Sequence, residues 1–260
     1  MNTKTGTAAG VPFTAIGPDH ADENTPLVVV WHMLDAPRTD AAMAAALPLN
    51  GLNAWRVYLG LPMSGSRTPE GGWEPLFDDV VLKIYDPITR QAAEEFPAAL
   101  AELRKEFGEG PLYLVGGSLG AAVALEALAS GIPAQAAALI SPVVQLSNVV
   151  AANEKAFGMA YEWNEQSTAV AQRLDFLTRA KEIDVPVLIV TGEEDDKEGF
   201  LEPAEKLWQT LPAGSASLVT VPGMGHGLAE EPGMEPAPQT PHAAHVDGIV
   251  AQWLGRQLAA

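Results

Sequence analysis

Short, uninterrupted apolar runs alternate along this chain with longer segments whose apolar residues recur at helical spacing. The runs Pro26–Trp31, Ala54–Leu59, Leu112–Val115, Ala136–Ser141, Pro186–Thr191 and Ser217–Val221 have strand length and no polar alternation, the pattern of strands buried on both faces of a parallel sheet. Val11–Ile16 reads as a first edge strand after a loose start. Between the runs, helices are predicted over Ala41–Leu47, capped by Thr39 or Asp40, over Ile88–Phe107 with Pro97 as a kink, and from Gly120 to Ser130. Val143–Asp184 also reads helical, as does Leu201–Leu211. The last helix carries Val246, Ile249, Val250, Trp253, Leu254 and Leu258 along one face, ready to lie on a sheet. Leu61–Leu76 is a long loop rich in Gly, Pro and Ser, of the kind that borders sites, and Glu230–Pro241 is an acidic, Pro-rich surface excursion. Strands alternating with helices predict an α/β fold: a mostly parallel sheet with right-handed crossovers, helices on both faces, and ligands beyond the strand carboxyl ends.

Composition narrows the picture. A chain of 260 residues, 47% hydrophobic, can bury the core of one large domain, and residues 1–260 are expected to form one. Acidic residues outnumber basic ones 33 to 15, a net charge of −18 that repels phosphate backbones and anionic lipid, so nucleic acid is not an expected partner. There is no cysteine, which removes disulfides, thiolate nucleophiles and thiolate metal sites together. The histidines are too scattered to suggest a metal site, and no nucleotide-binding glycine pattern occurs, so no metal and no cofactor are expected. Met1–Gly10 lacks the apolar core of a signal peptide, and no run is long enough to span a membrane. A cytoplasmic protein without membrane attachment is the expectation; oligomeric state is left open.

The candidate chemistry centres on Gly116-Gly117-Ser118-Leu119-Gly120, between a predicted strand and a predicted helix. A strand, a sharp turn and a helix would lift Ser118 out of the sheet, with glycines two before and two after removing side chains that would collide. A serine hydroxyl needs a base to take its proton and a carboxylate to orient that base. Two later strands end in suitable residues: Gly192-Glu193-Glu194-Asp195-Asp196 after one, and Gly223-Met224-Gly225-His226-Gly227 after the next. Among the four consecutive acids, Asp195 is chosen on its spacing from Gly192, with Asp196 behind it. His20, His32, His242 and His245 have no comparable acid and strand context, and His32 reads as a loop brace.

In its Gly-x-Ser-x-Gly, Gly-x-x-Asp and Gly-x-x-His elements, met in the order serine, acid, histidine, the chain resembles the α/β-hydrolase family from about Pro26 to Leu258. The resemblance implies a serine esterase acting on a small-molecule ester, with Ser118 as nucleophile, His226 as base and Asp195 as orienting acid. A lactonase, thioesterase, amidase or cofactor-free perhydrolase on the same triad is the alternative, as is a slow-turnover ligand-binding protein. It also implies an oxyanion hole made by the N–H of Leu119 and by that of Leu34 or Met33. Family members usually carry His-Gly where this chain has His32-Met33. Finally, it implies that residues 143–184 form a small helical lid in which Phe157, Met159, Tyr161 and Trp163 line an acyl pocket.

Overall fold

A computed structural model describes residues 3–259. Its strands are β1 (Thr3–Ala8), β2 (Val11–Ile16), β3 (Leu27–Trp31), β4 (Trp55–Leu59), β5 (Leu112–Gly117), β6 (Ala136–Ile140), β7 (Val187–Gly192) and β8 (Ala216–Val221). They form one sheet in the order β1-β2-β4-β3-β5-β6-β7-β8, antiparallel at β1–β2 and β2–β4 and parallel from β4 onwards. Val11–Ile16 is therefore a strand but not the edge. Thr3–Ala8 pairs outside it through a tight turn at Ala9 and Gly10, both with positive φ. Five of the six β1 residues are exposed, so its Thr-Lys-Thr-Gly-Thr-Ala sequence carries no apolar signal by which to see it.

Helices cover both faces. Helices α1 (Asp40–Ala46) and α7 (Pro241–Leu258) close one face, where Met43, Val246, Val250 and Leu254 pack on Val28, Val30, Val115 and Val190. Helices α2 (Asp86–Phe107), α3 (Leu119–Ala129) and α6 (Glu202–Thr210) close the other. There Phe96 meets Trp31 edge to face, with ring centroids 4.7 Å apart. Thr39 caps α1, its hydroxyl accepting from the N–H of Ala42. Pro97 lies inside α2, which one 3₁₀ turn and one π turn extend backwards to Glu74. Between β6 and β7 lie α4 (Leu146–Phe157) and α5 (Glu165–Arg173).

Sequence order reverses between β3 and β5. The chain steps from β3 outward to β4 and then returns to the far side of β3, so the loops leaving β3 and β5 splay apart and open a crevice at the sheet's carboxyl edge. The loops after β7 and β8 reach the same edge. One polar cluster fixes the β6–β7 segment over this frame: buried Glu126 on α3 accepts from Arg173 at 3.0 Å and Arg179 at 2.9 Å, and Arg173 also donates to Asp86 and Thr89 on α2. Removing the carboxylate would leave two guanidinium groups without it. Glu126→Gln is accordingly expected to lower the unfolding free energy by about 2 kcal/mol, less than for a wholly buried pair because both arginines keep some exposure; urea denaturation of the two proteins measures it.

Candidate active site

Ser118 stands between the last residue of β5 and the first of α3, at φ 49° and ψ −116°, a conformation that only a strongly constraining surround can hold. The constraint is backbone against backbone. A Cβ on Gly120 would lie 2.3 Å from the carbonyl oxygen of His32 and 2.7 Å from that of Trp31. A Cβ on Gly116 would lie 2.3 Å from the carbonyl oxygen of Gly120. The turn closes only with hydrogen at both positions. At Gly117 the obstacle is softer, the side chain of Met33 at 2.6 Å.

The structure brings Ser118, His226 and Asp195 together. The imidazole Nδ1 lies 2.8 Å from Asp195 Oδ2 and Nε2 lies 2.8 Å from Ser118 Oγ. A carboxylate can only accept, so Nδ1 carries the proton and Nε2 is left with a lone pair aimed at the serine hydroxyl, which donates to it. Asp195 is buried, and its second oxygen accepts from the N–H of Asp196 at 2.8 Å. None of the neighbouring acids bonds to the imidazole. Asp196 caps the following turn by accepting from Gly199 N–H, Glu193 accepts from Gly223 N–H, and Glu194 is exposed. A Cβ at Gly192 would lie 2.3 Å from the carbonyl oxygen of Met224, so the acid and histidine loops touch along their backbones. Phe200 packs on the imidazole, centroid to centroid 4.1 Å.

The loop after β3 faces Ser118 from across the crevice. Met33 N–H donates to the Pro37 carbonyl at 3.2 Å, which removes it from the two candidates named for an oxyanion donor; Leu34 remains. Leu119 is the first residue of α3, where an N–H has no partner within the helix. The loop is held from two sides. His32 is fully buried, its Nδ1–H donating to the Met33 carbonyl at 2.7 Å and its Nε2 accepting from Leu61 N–H at 3.0 Å, so it does act as a brace. On the other side Arg38 donates to the carbonyls of Leu34 and Pro232 and to both oxygens of Glu231. Ala36 accepts from Leu228 and Ala229. The excursion over Glu230–Pro241 is thus a clamp on the β3 loop. Nothing in the sequence marks Arg38 or Glu231, because their pairing exists only once two distant loops meet.

The expected pocket residues separate. Phe157 and Met159 are 72% and 68% exposed and Trp163 is 40% exposed, so they face outward more than a buried pocket wall would. Tyr161 is half-buried, stacks edge to face on Trp163, and donates to Asp79 at 2.6 Å. Tyr85, at the start of α2, accepts from Asn153 on α4 at 3.0 Å. These two contacts fasten the β6–β7 segment to the segment that precedes α2. Burial pushes both phenols up to about 12, aided at Tyr161 by the carboxylate of Asp79 and at Tyr85 by the charge of Asp35. Asp35, which sequence reasoning missed, lies 3.6 Å from His226 Nε2.

No protein-family model matches the chain, and no curated protein matches it in sequence. Solved structures do resemble it. TT1662 from Thermus thermophilus superposes with a TM-score of 0.74 at 22% identity, both chains covered in full. Est1E from Butyrivibrio proteoclasticus gives 0.64 at 17% identity, again over the whole of both chains. The esterase domain of a Rhodothermus marinus protein gives 0.66 at 15%, covering 98% of this chain and 99% of that one. At such identities the likeness is one of fold.

Two outcomes are expected from this geometry. Gly120→Ala should cost roughly 3 kcal/mol or more, since carbonyl oxygens on the facing strand end cannot step aside, whereas Gly117→Ala should cost less because Met33 can change rotamer; thermal melts of the two variants rank them. The second concerns His32, whose burial lowers its pKa from 6.5 to about 4 against the smaller opposing pulls of the Met33 carbonyl and Asp40. Above pH 6.5 folded and unfolded chains are both neutral there. As pH falls towards 4 the unfolded chain binds a proton that the folded one refuses, so stability declines by up to roughly 3 kcal/mol and then levels off. Unfolding free energies across that range, with His32→Gln lacking this component, test the sign and the size.

Proposed function

We propose, on the premise of an α/β-hydrolase fold, that this chain is a serine hydrolase that cleaves carboxylic esters through an acyl-enzyme. The observation that carries the proposal is the unbroken relay from Asp195 through His226 to a serine held on a strained turn, each link 2.8 Å long. A serine placed there only to make a tight turn would not need its hydroxyl aimed at an imidazole that is oriented, in its turn, by a buried carboxylate.

The proposed cycle uses the chain's own groups throughout. Ser118 Oγ attacks the ester carbonyl carbon while His226 Nε2 takes the hydroxyl proton. Asp195 holds the ring in the tautomer that can accept, and stabilises the imidazolium that forms. The negative charge developing on the carbonyl oxygen is met by the N–H groups of Leu119 and Leu34, which are fixed before substrate arrives and so need no reorganisation. When the tetrahedral intermediate collapses, the C–O bond breaks and Nε2 returns the proton to the departing alcohol. Water then gives its proton to Nε2 and attacks the acyl carbon, and collapse releases a carboxylic acid and regenerates Ser118. No cofactor takes part. The β6–β7 segment acts in this scheme as the lid, with Tyr161 and Tyr85 tying it down beside the crevice.

Labelling of Ser118 by a fluorophosphonate, together with turnover of p-nitrophenyl esters of graded acyl length, tests the proposal; an unlabelled, inactive protein would overturn it. Ser118→Ala is expected to fold normally and to lose at least roughly 10³-fold in kcat. Asp195→Asn is expected to cripple turnover far more than Asp196→Asn, since the latter carboxylate caps a turn and does not reach the ring.

A further inference from the structure

His226 has a second carboxylate beside it. Asp35 Oδ2 lies 3.6 Å from Nε2, the nitrogen that faces Ser118, whereas Asp195 occupies Nδ1 on the other side of the ring. Asp35 therefore cannot orient the ring as Asp195 does. Its side chain is 54% exposed, against 2% for that of Asp195, so it faces the mouth of the crevice. It also follows Leu34 directly, in the loop that faces the reacting carbonyl.

Among the described residues no lysine or arginine pairs with it. Arg38, three residues on, is committed to Glu231 and to two carbonyls. The lysines on neighbouring segments are paired elsewhere, Lys83 with Asp78 and Lys155 with Glu198. Nε2 of His226 lies beside the carboxylate and the phenol of Tyr85 feels its charge at longer range, neither of them a fixed cation.

We propose that Asp35 is a specificity-determining residue that selects esters whose alcohol portion carries a positive charge and disfavours those whose alcohol portion carries a negative one. The inference rests on the ester-hydrolase proposal and follows from where the proton goes. Nε2 must hand its proton to the leaving oxygen, so that oxygen sits within hydrogen-bonding distance of Nε2, and Asp35 lies 3.6 Å from the same atom. An ammonium two carbons beyond the ester oxygen comes into direct Coulombic range of the carboxylate. A carboxylate one carbon further out meets like charge, with the acidic surface of the whole chain behind it. Because Asp35 is half in solvent, the selection is modest and sensitive to salt.

The test uses three acetate esters: choline, the isosteric neutral 3,3-dimethylbutyl alcohol, and 4-hydroxybutanoate. Each is measured with the unsubstituted protein and with Asp35→Asn. Taking the ratio between the two proteins cancels intrinsic differences in ester reactivity. The choline to dimethylbutyl ratio of kcat/KM is expected to fall about fivefold in Asp35→Asn, and the 4-hydroxybutanoate to dimethylbutyl ratio to rise. Added sodium chloride is expected to narrow the wild-type ratios and to leave those of the variant almost unchanged. Ratios equal in the two proteins within a factor of two, while the neutral ester is hydrolysed and Ser118 is labelled, would overturn the role of Asp35 alone. No turnover of any ester and no labelling would overturn the hydrolase proposal and this inference together.

Discussion

The close approach of the β5–α3 turn to the end of β3 is the contact on which everything else at this edge of the sheet depends. Gly120 lies so near the carbonyls of Trp31 and His32 that no side chain fits. With that gap closed, Ser118 is held in a conformation it would not adopt in free solution, and the first N–H of α3 is left unpaired beside it. The strain is sustained by the rest of the sheet: β5 is buried along its whole length between β3 and β6, and α3 is buried on every side. Positional accuracy at a single hydroxyl is thus obtained from a core that supplies none of the chemistry.

Around that fixed point, three loops are fastened to one another more than to the sheet. The acid loop touches the histidine loop along its backbone at Gly192, the histidine loop runs into the Glu231 segment, and Arg38 joins that segment to the loop leaving β3. His32 completes the circuit by linking the β3 loop to Leu61 at the end of β4. Each connection satisfies backbone donors and acceptors that would otherwise be stranded in a crevice partly closed to water. The same bonds that make the loops stable also fix the distances between their functional atoms.

Much of this architecture could be read from the chain because it is written locally. Uninterrupted apolar runs announce parallel strands, and a glycine on each side of Ser118 announces the turn. Asp195 could be preferred over three adjacent acids on spacing alone, and in the structure Asp196 and Glu193 accept from backbone N–H groups elsewhere while Glu194 is exposed. What escaped reading depends on partners far away in sequence. β1 is almost wholly exposed and has no periodicity to detect. That the Met33 N–H is taken up by the Pro37 carbonyl shows only in the folded loop. Only the family resemblance implies a pocket role for Phe157 and Met159, and they lie near a helix end that faces solvent. Asp35 and Arg38 are ordinary loop charges until the fold brings His226 and Glu231 against them.

The clamp made by Arg38 has a bearing on how the protein is made. Its two halves, Arg38 and Glu231, are 193 positions apart, and His226 lies close to the later half. The serine turn rests on β3, β5, α3 and β6, all of which precede the acid and histidine loops in the chain. The Arg38–Glu231 clamp on the loop that faces it cannot form until the segment after β8 has been made, and His226 arrives with that same segment, although His32 can already hold the β3 loop to Leu61. A chain made only as far as β7 therefore carries Ser118 without His226 and without Glu231, the clamp partner of Arg38. Ser118, Asp195 and His226 can come together only once the loop behind β8 has been made.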